Sequence, residues 1–377
     1  MKRTKIIAVI LSAVMLLGVI PAFASAQSVT RVLAGSDYQH PDGNDAGQNT
    51  VNSIIGAIKA DGIDEADGFI FCGDYDHDLT MLPGPTSKGV QSLTECVNTL
   101  VPAEAPHVYV QGNHDSPVGT AGLSFSGNND PENGKYGVFV INEDDYSWFN
   151  TSREVIEGTA NNLRKYLNEK LEQGFKAPVF VVTHLPLHYS YRSRTIGDGR
   201  YCEYIFKVLN EAGAKGLNII FLFGHDHSNG WDDYLGGSSI FLKKGDEINI
   251  CKLGNQFKWN TYTLNFTYMN AGYTGYYDNH NGADDALTMT LFEISDSCVI
   301  IRRYDESGLH TLGARGETNR HKNEKGYAPN TQITESPYTL ELTEVTDNTP
   351  IEGGIGTFTA FIMNIYEFLK GLLGVVC

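Results

Sequence analysis

The stretch FLFGHDHSNG (221–230) holds two histidines, two positions apart, at the end of an apolar run. Phe221, Leu222 and Phe223 read as the end of a buried strand, and Gly224 breaks it. His225 and His227 then fall where strand becomes loop. In an extended chain, side chains two positions apart point the same way, so the pair offers two imidazoles to one place. Open α/β sheets put their ligands at the carboxyl ends of their strands. What the other strands end in therefore decides what this chain is.

Working outward, Val29 to about Gly237 alternates strand-like and helix-like segments. VTRVLAG (29–35), GFIFCGD (68–74), HVYVQGNHD (107–115), APVFVVTH (177–184) and NIIFLFG (218–224) read as strands. Residues 46–62, 87–100, 158–174 and 201–216 carry apolar residues at helical spacing, as in Val51, Ile54, Ile55 and Ile58. Such alternation predicts βαβ units around buried strands. Beyond residue 237 the text is β-rich, which predicts hairpins and meanders of a second sheet. Residues 306–350 are polar and irregular and read as a surface loop or linker.

Five polar clusters follow strand-like runs: GSDYQH (35–40), CGDYDHD (72–78), QGNHD (111–115), THLPLH (183–188) and GHDH (224–227). They supply Asp37, Asp74, Asn113, His184, His225 and His227, a set of carboxylate, amide and imidazole donors without thiolate. Such a set suits Zn, Mn or Fe and not a structural cysteine-type zinc site. Taken singly, each cluster is an ordinary polar turn. Five in order, each at a strand end, make a site.

The series resembles the calcineurin-like metallophosphoesterases, whose pattern runs D-x-H, G-D-x-x-D, G-N-H-[DE], a lone His after a strand, and G-H-x-H. The resemblance covers residues 29 to about 230. It implies an α/β fold, a four-layer αββα sandwich of two mixed β-sheets flanked by helices, over residues 27–305. It further implies two divalent or trivalent metal ions (Mn, Zn or Fe). In that scheme Asp74 bridges both, Asp37 and His227 hold the first, and Asn113, His184 and His225 hold the second. His114 is then no ligand but a catalytic group beside the phosphoryl oxygen. The implied reaction is hydrolysis of phosphate mono- or diesters by a metal-held hydroxide, with no nucleophilic side chain.

Two motifs depart from the pattern. The first is D-Y-Q-H, so Gln39 stands where a histidine ligand is expected and is the geometric candidate, two positions from Asp37. His40 then faces away and reads as a loop residue. The second carries His77 three residues after Asp74. His77 either offsets the weaker amide ligand Gln39 or is a loop group. His188, Tyr189, Tyr191, Arg192, Arg194 and Arg200 follow the fourth motif, where an Arg could fork onto phosphate or the segment could be a solvated loop. The Gln39 departure keeps a second class of function open, a catalytically weak or inactive binding or adhesion protein on the same fold.

The rest of the 377 residues bounds the setting. Lys2, Arg3 and Lys5 precede an apolar core over 6–20 and A-x-A sites ending at Ala24 or Ala26, the pattern of a secretory signal peptide over 1–26. Its removal would take three basic residues and no acidic one, moving the formal net charge from −17 to −20. That balance gives no expectation of nucleic-acid binding, and an anionic ester would be drawn by bound cations instead. Six cysteines are too sparse for a disulfide scaffold, though one or two bridges fit, and Cys72 reads as a buried hydrophobe. Residues 351–377 form an apolar stripe through Phe361, Ile365, Phe368 and Leu372, interrupted by Asn364, Glu367 and Lys370. This is an amphipathic helix, docked on the domain or making membrane-surface or envelope contact through 354–377. The expected location is secreted, with that tail as a route to the envelope.

Overall fold

The computed structural model describes residues 29–39, 46–76, 88–115, 126–142, 152–188, 195–225, 241–275, 287–312 and 334–352. The expected signal peptide, the tail beyond residue 352, and His40, His77 and His227 lie outside the described residues. In chain order, β1 (Thr30–Gly35) is followed by α1 (Ala46–Ala60), β2 (Gly68–Phe71), α2 (Lys88–Val97) and β3 (His107–Tyr109). Next come β4 (Gly127–Asn128), β5 (Gly137–Ile141), α3 (Arg153–Glu172), β6 (Val179–Thr183), α4 (Cys202–Ala214) and β7 (Ile219–Phe223). The remaining strands are β8 (Phe241–Leu242), β9 (Glu247–Lys252), β10 (Asn255–Thr263), β11 (Thr267–Asn270) and β12 (Met289–Ile294). β13 (Cys298–Asp305), β14 (Gly308–His310) and β15 (Tyr338–Glu341) complete the set.

The strands make two large mixed sheets. One runs β14-β13-β12-β1-β2-β3 with β15 also paired to β13, and the other runs β4-β5-β6-β7-β11-β8. The β1–β2–β3 and β5–β6–β7–β11 ladders are parallel, while β12 pairs antiparallel with β1. The period-2 alternation of side chains builds the layers. Phe69 and Phe71 pack with Ile54 and Leu93 under α1 and α2. Ile70 and Cys72 point the other way, to meet Phe180, Leu222 and Phe292 between the sheets. Val181 and Phe221 face Leu163 and Phe206 of α3 and α4. The result is the αββα sandwich. Each fully buried Phe or Ile contributes about 1.5–3 kcal/mol, so three apolar interlayers hold the sheets together.

The strands after residue 237 do not form a meander of the second sheet alone. β12, β13 and β14 extend the first sheet, β8 and β11 join the second, and β9–β10 is a separate two-stranded hairpin. Local alternation reports that a strand exists but not which ladder it joins. The polar stretch 306–350 likewise contains β14 and β15. Tyr338–Glu341 pairs with Cys298–Ile301 of β13, and its alternately half-buried and exposed residues make it resemble loop text. The chain then crosses to the other side of the sandwich. Thr343 N–H donates to Asn218 Oδ1 (2.9 Å), Thr346 N–H to the Lys215 carbonyl (2.9 Å), and Ile351 N–H to Asn168 Oδ1 (2.7 Å). Ile351 is buried with the α3 core. The five cysteines among the described residues are all free thiols. No helix among the described residues is long and apolar enough to cross a membrane.

Candidate metal centre

The parallel strands of both sheets end at one edge, and their ends are bonded to one another. Asp37 N–H donates to the Gly73 carbonyl (2.9 Å) and Gln39 N–H to the Asp74 carbonyl (3.0 Å). Within the second sheet Gly224 N–H donates to the His184 carbonyl (3.0 Å), and across the sheets His225 N–H donates to Asp37 Oδ2 (2.8 Å). Two glycines permit this closeness. A Cβ on Gly112 would collide with the Asp74 carboxylate, and one on Gly224 would lie 2.7 Å from the Cys72 carbonyl and 2.8 Å from Asp37 Oδ2.

The backbone here is unusual. Among the described residues the non-glycine residues with positive φ are Asp37 (54°), Gln39 (45°), Asp74 (59°) and His225 (64°), and all belong to these strand ends. The left-handed region is disfavoured for side chains other than Asn, Asp and His, so Gln39 holds strain of order 1–3 kcal/mol. This also removes the premise that side chains two apart point alike at Asp37/Gln39, because the chain is not extended there, while the His225/His227 pair runs outside the described residues.

Buried donor atoms converge on His184. Its Nδ1 lies 2.7 Å from the Cys72 carbonyl oxygen, which can only accept, so Nδ1 carries a proton. Nε2 then faces Asn113 Oδ1 (2.9 Å), His225 Nδ1 (3.1 Å) and Asp74 Oδ2 (3.2 Å). With His184 neutral, Nε2 and the Asn113 and Asp74 oxygens direct lone pairs at one another, an arrangement that a proton or a cation at Nε2 relieves. In the metal-free chain the proton does so. Burial alone would lower the His184 pKa, but the charge of Asp74 and the bond to it raise it to about 10. Burial would raise the Asp74 carboxyl, yet His184, with His114 and His225 behind it, holds it below the usual carboxylate range.

A cation fits equally. Asp74, His184 and His225, all buried, each present one ligand atom within 4.8 Å of the others. The set is hard-to-borderline oxygen and nitrogen, and the nearby Cys72 thiol is pushed far up by burial and stays protonated. The His184 Nδ1–carbonyl bond fixes the ring with Nε2 towards the site, as metal-ligating histidines require.

Of the residues singled out from sequence, Asp37, Asp74, Asn113, His184 and His225 meet here. Gln39 is buried (3 % exposed) beside Asp74. His114 donates its N–H to Asp74 Oδ1 (2.9 Å), while its ring is 23 % exposed with Nε2 3.9 Å from Asp74 Oδ2. The ring thus sits at the open side of the cluster. His188 turns away, its Nδ1 2.7 Å from the Tyr268 hydroxyl. Arg200 binds Gln256 on the β9–β10 hairpin (2.8 Å). Tyr189, Tyr191, Arg192 and Arg194 lie outside the described residues.

Asp115 had no role assigned from sequence, although it closes the GNHD motif. Its Oδ2 accepts the N–H of Asp74 (2.8 Å) and Gly112 (2.7 Å), and its Oδ1 that of Tyr75 (2.9 Å). Burial and then the charge of Asp74 push its carboxyl up to about 7 despite these donors. Asp115→Ala should strand three buried N–H groups at about 1–3 kcal/mol each. The expected loss is about 3 kcal/mol or more, read as a lowered midpoint in urea. A midpoint like that of wild type would show that the loop does not depend on Asp115.

The fold and the cluster define an α/β sandwich with an Asp/His/His group at its strand ends that could hold a metal ion. The family model for calcineurin-like phosphoesterases matches residues 30–229, just over half of the sequence. The chain belongs to that family. Solved structures similar to it include a dimetal phosphatase from Danio rerio (10 % identity, 76 % of this chain and 99 % of that one, TM-score 0.44). Another is GAP50, the anchor in the inner membrane complex of Plasmodium (12 % identity, 84 % and 89 % covered, TM-score 0.44). A third is a single mutant of Vps29 from Entamoeba histolytica (14 % identity, 73 % and 92 % covered, TM-score 0.31). No curated protein matches the chain.

Proposed function

We propose that this chain is an exported, dinuclear-metal phosphoesterase acting on phosphate mono- or diesters. The observation that carries the reading is the convergence of Asn113, His225 and Asp74 on His184 Nε2 within 3.2 Å. In the proposal Asp74 would serve both ions, Asp37, Gln39 and His227 would hold one, and Asn113, His184 and His225 would hold the other. Bound there, the ions supply Lewis acidity towards phosphate oxygens and acidify water. The chain's own part is positional. Asp115 and the Cys72 carbonyl aim Asp74 and His184, and burial excludes bulk water from the ligands. The His114 ring, at the open side, is placed to give a proton to the leaving oxygen.

Gln39 favours the second reading, a binding or adhesion protein with a weakened site, because an amide oxygen is a poorer ligand than imidazole. One assay separates the two. Hydrolysis of p-nitrophenyl phosphate and bis-p-nitrophenyl phosphate is followed with added Mn, Zn or Fe, alongside elemental analysis. Turnover that chelation abolishes supports the enzyme, and the preferred ester assigns mono- or diesterase activity. A chain that holds two ions and hydrolyses neither ester would overturn it in favour of the binding protein. The leader-like sequence 1–26 supports export, which amino-terminal sequencing of the mature chain from culture medium would test.

A further inference from the structure

Arg303 occupies a place that the strand pattern reserves for an apolar side chain. On β13, Val299 and Ile301 face the core between the sheets, and Arg303 is next in that row, 0 % exposed. Burial presses its guanidinium down to about 9, and its Nη1 has no hydrogen-bond partner among the described residues. A buried cation without a carboxylate partner is costly, and a methionine or leucine of similar volume would be cheaper.

Its other contacts reach the segment that leaves β11. Three consecutive carbonyls there are each held by a side chain of the opposite sheet. Arg303 Nη2 donates to the Asn270 carbonyl, Thr290 Oγ1 to that of Ala271 (2.8 Å), and Ser36 Oγ to that of Gly272. Arg303 Nε also donates to Thr290 Oγ1 (3.3 Å), which turns that hydroxyl proton towards Ala271. The segment then closes on the Asp37 turn. Thr274 gives both its N–H and its hydroxyl to the Ser36 carbonyl (3.1 Å each), and a Cβ on Gly275 would sit 2.6 Å from the Asp37 carbonyl. Ala271 N–H donates to the Phe223 carbonyl (2.9 Å), just before His225. Residues 270–275 thus lie between the ends of β1 and β7, against the left-handed Asp37.

We infer that Arg303 is a positioning residue, which through Thr290 and the carbonyls of 270–272 holds the Asp37 turn in its metal-binding shape. The inference rests on the metal reading proposed above. A lysine cannot replace it, because one ammonium cannot bond Asn270 O and Thr290 Oγ1 in the fixed fork of a guanidinium.

The test is Mn²⁺ binding by equilibrium dialysis to the full chain, with Arg303→Met, Arg303→Lys and the near-isosteric Thr290→Val. Asp37→Asn marks which ion belongs to the Asp37 half, and Arg302→Met, a neighbour paired with Glu293 on the other face (2.7 Å), is the control. The three variants should weaken the ion that Asp37→Asn weakens by about 10–100-fold, the usual effect of removing a group behind a ligand. The other ion and the control should be unchanged. If Arg303→Met folds poorly, Thr290→Val carries the same expectation with little change in volume. Wild-type affinity for both ions in folded variants, or equal loss of both ions, would overturn the inference. A wild-type chain that binds no second ion would instead overturn the two-metal reading, and the inference with it.

Discussion

With His114 replaced by alanine, the metal ions should stay bound while hydrolysis of an ester with a poor leaving group falls by about 10²–10⁴-fold, the usual contribution of general acid help. The geometry separates the two effects. The contact of residue 114 with the ligands runs through its backbone N–H to Asp74 Oδ1, which alanine keeps. The ring is partly exposed, 3.9 Å from Asp74 Oδ2. The defect should shrink for p-nitrophenolate, which leaves with little protonation. Loss of metal in the variant, or the same defect for every leaving group, would refute the role.

Metal affinity should rise about tenfold per pH unit through the neutral range, hence about 100-fold between pH 6 and 8, from His184 alone. In the metal-free chain its pKa stands at about 10, above the ordinary value near 6.5. It is protonated throughout that range, and an ion needing the Nε2 lone pair must displace the proton. Calorimetry in two buffers of different ionisation enthalpy should find at least one proton released per ion bound there. An affinity that levels off near pH 7 would mean that Asp74 does not hold the proton. The same shift makes the metal-free fold pH-dependent. A raised histidine pKa adds stability that is fully present below about 6.5 and lost as pH climbs through about 10.

The positions of β1, β2, β3, β6 and β7 could be read in advance because they are apolar runs punctuated by motif glycines, whereas β5, which ends in no such motif, was not read. Asp74, Asn113, His184 and His225 could be read with them, each at a carboxyl end. Three things could not. Membership of a sheet depends on long-range pairing, so local alternation does not tell which of the strands after residue 237 join the first sheet and which the second. Backbone hand leaves no trace in an Asp, a Gln or a His, so the pattern reads as extended through Asp37, Gln39, Asp74 and His225, which are left-handed. Roles exercised through hydrogen bonds to backbone are not legible in spacing: Arg303 lies in no motif, and the GNHD motif marks Asp115 without saying what it holds.

The run from Tyr338 to Ile351 has a mechanical consequence. It zips onto β13 of the first sheet and then fastens to Asn218, Lys215 and Asn168 on the far side of the second. It acts as a belt buckled to both halves, so neither half can peel away without first undoing it. The sandwich should therefore melt as one cooperative block. Amide exchange under mild denaturant should give β2 and β6 the same opening free energy, and a sheet that opens well before the other would mean the belt carries no tension.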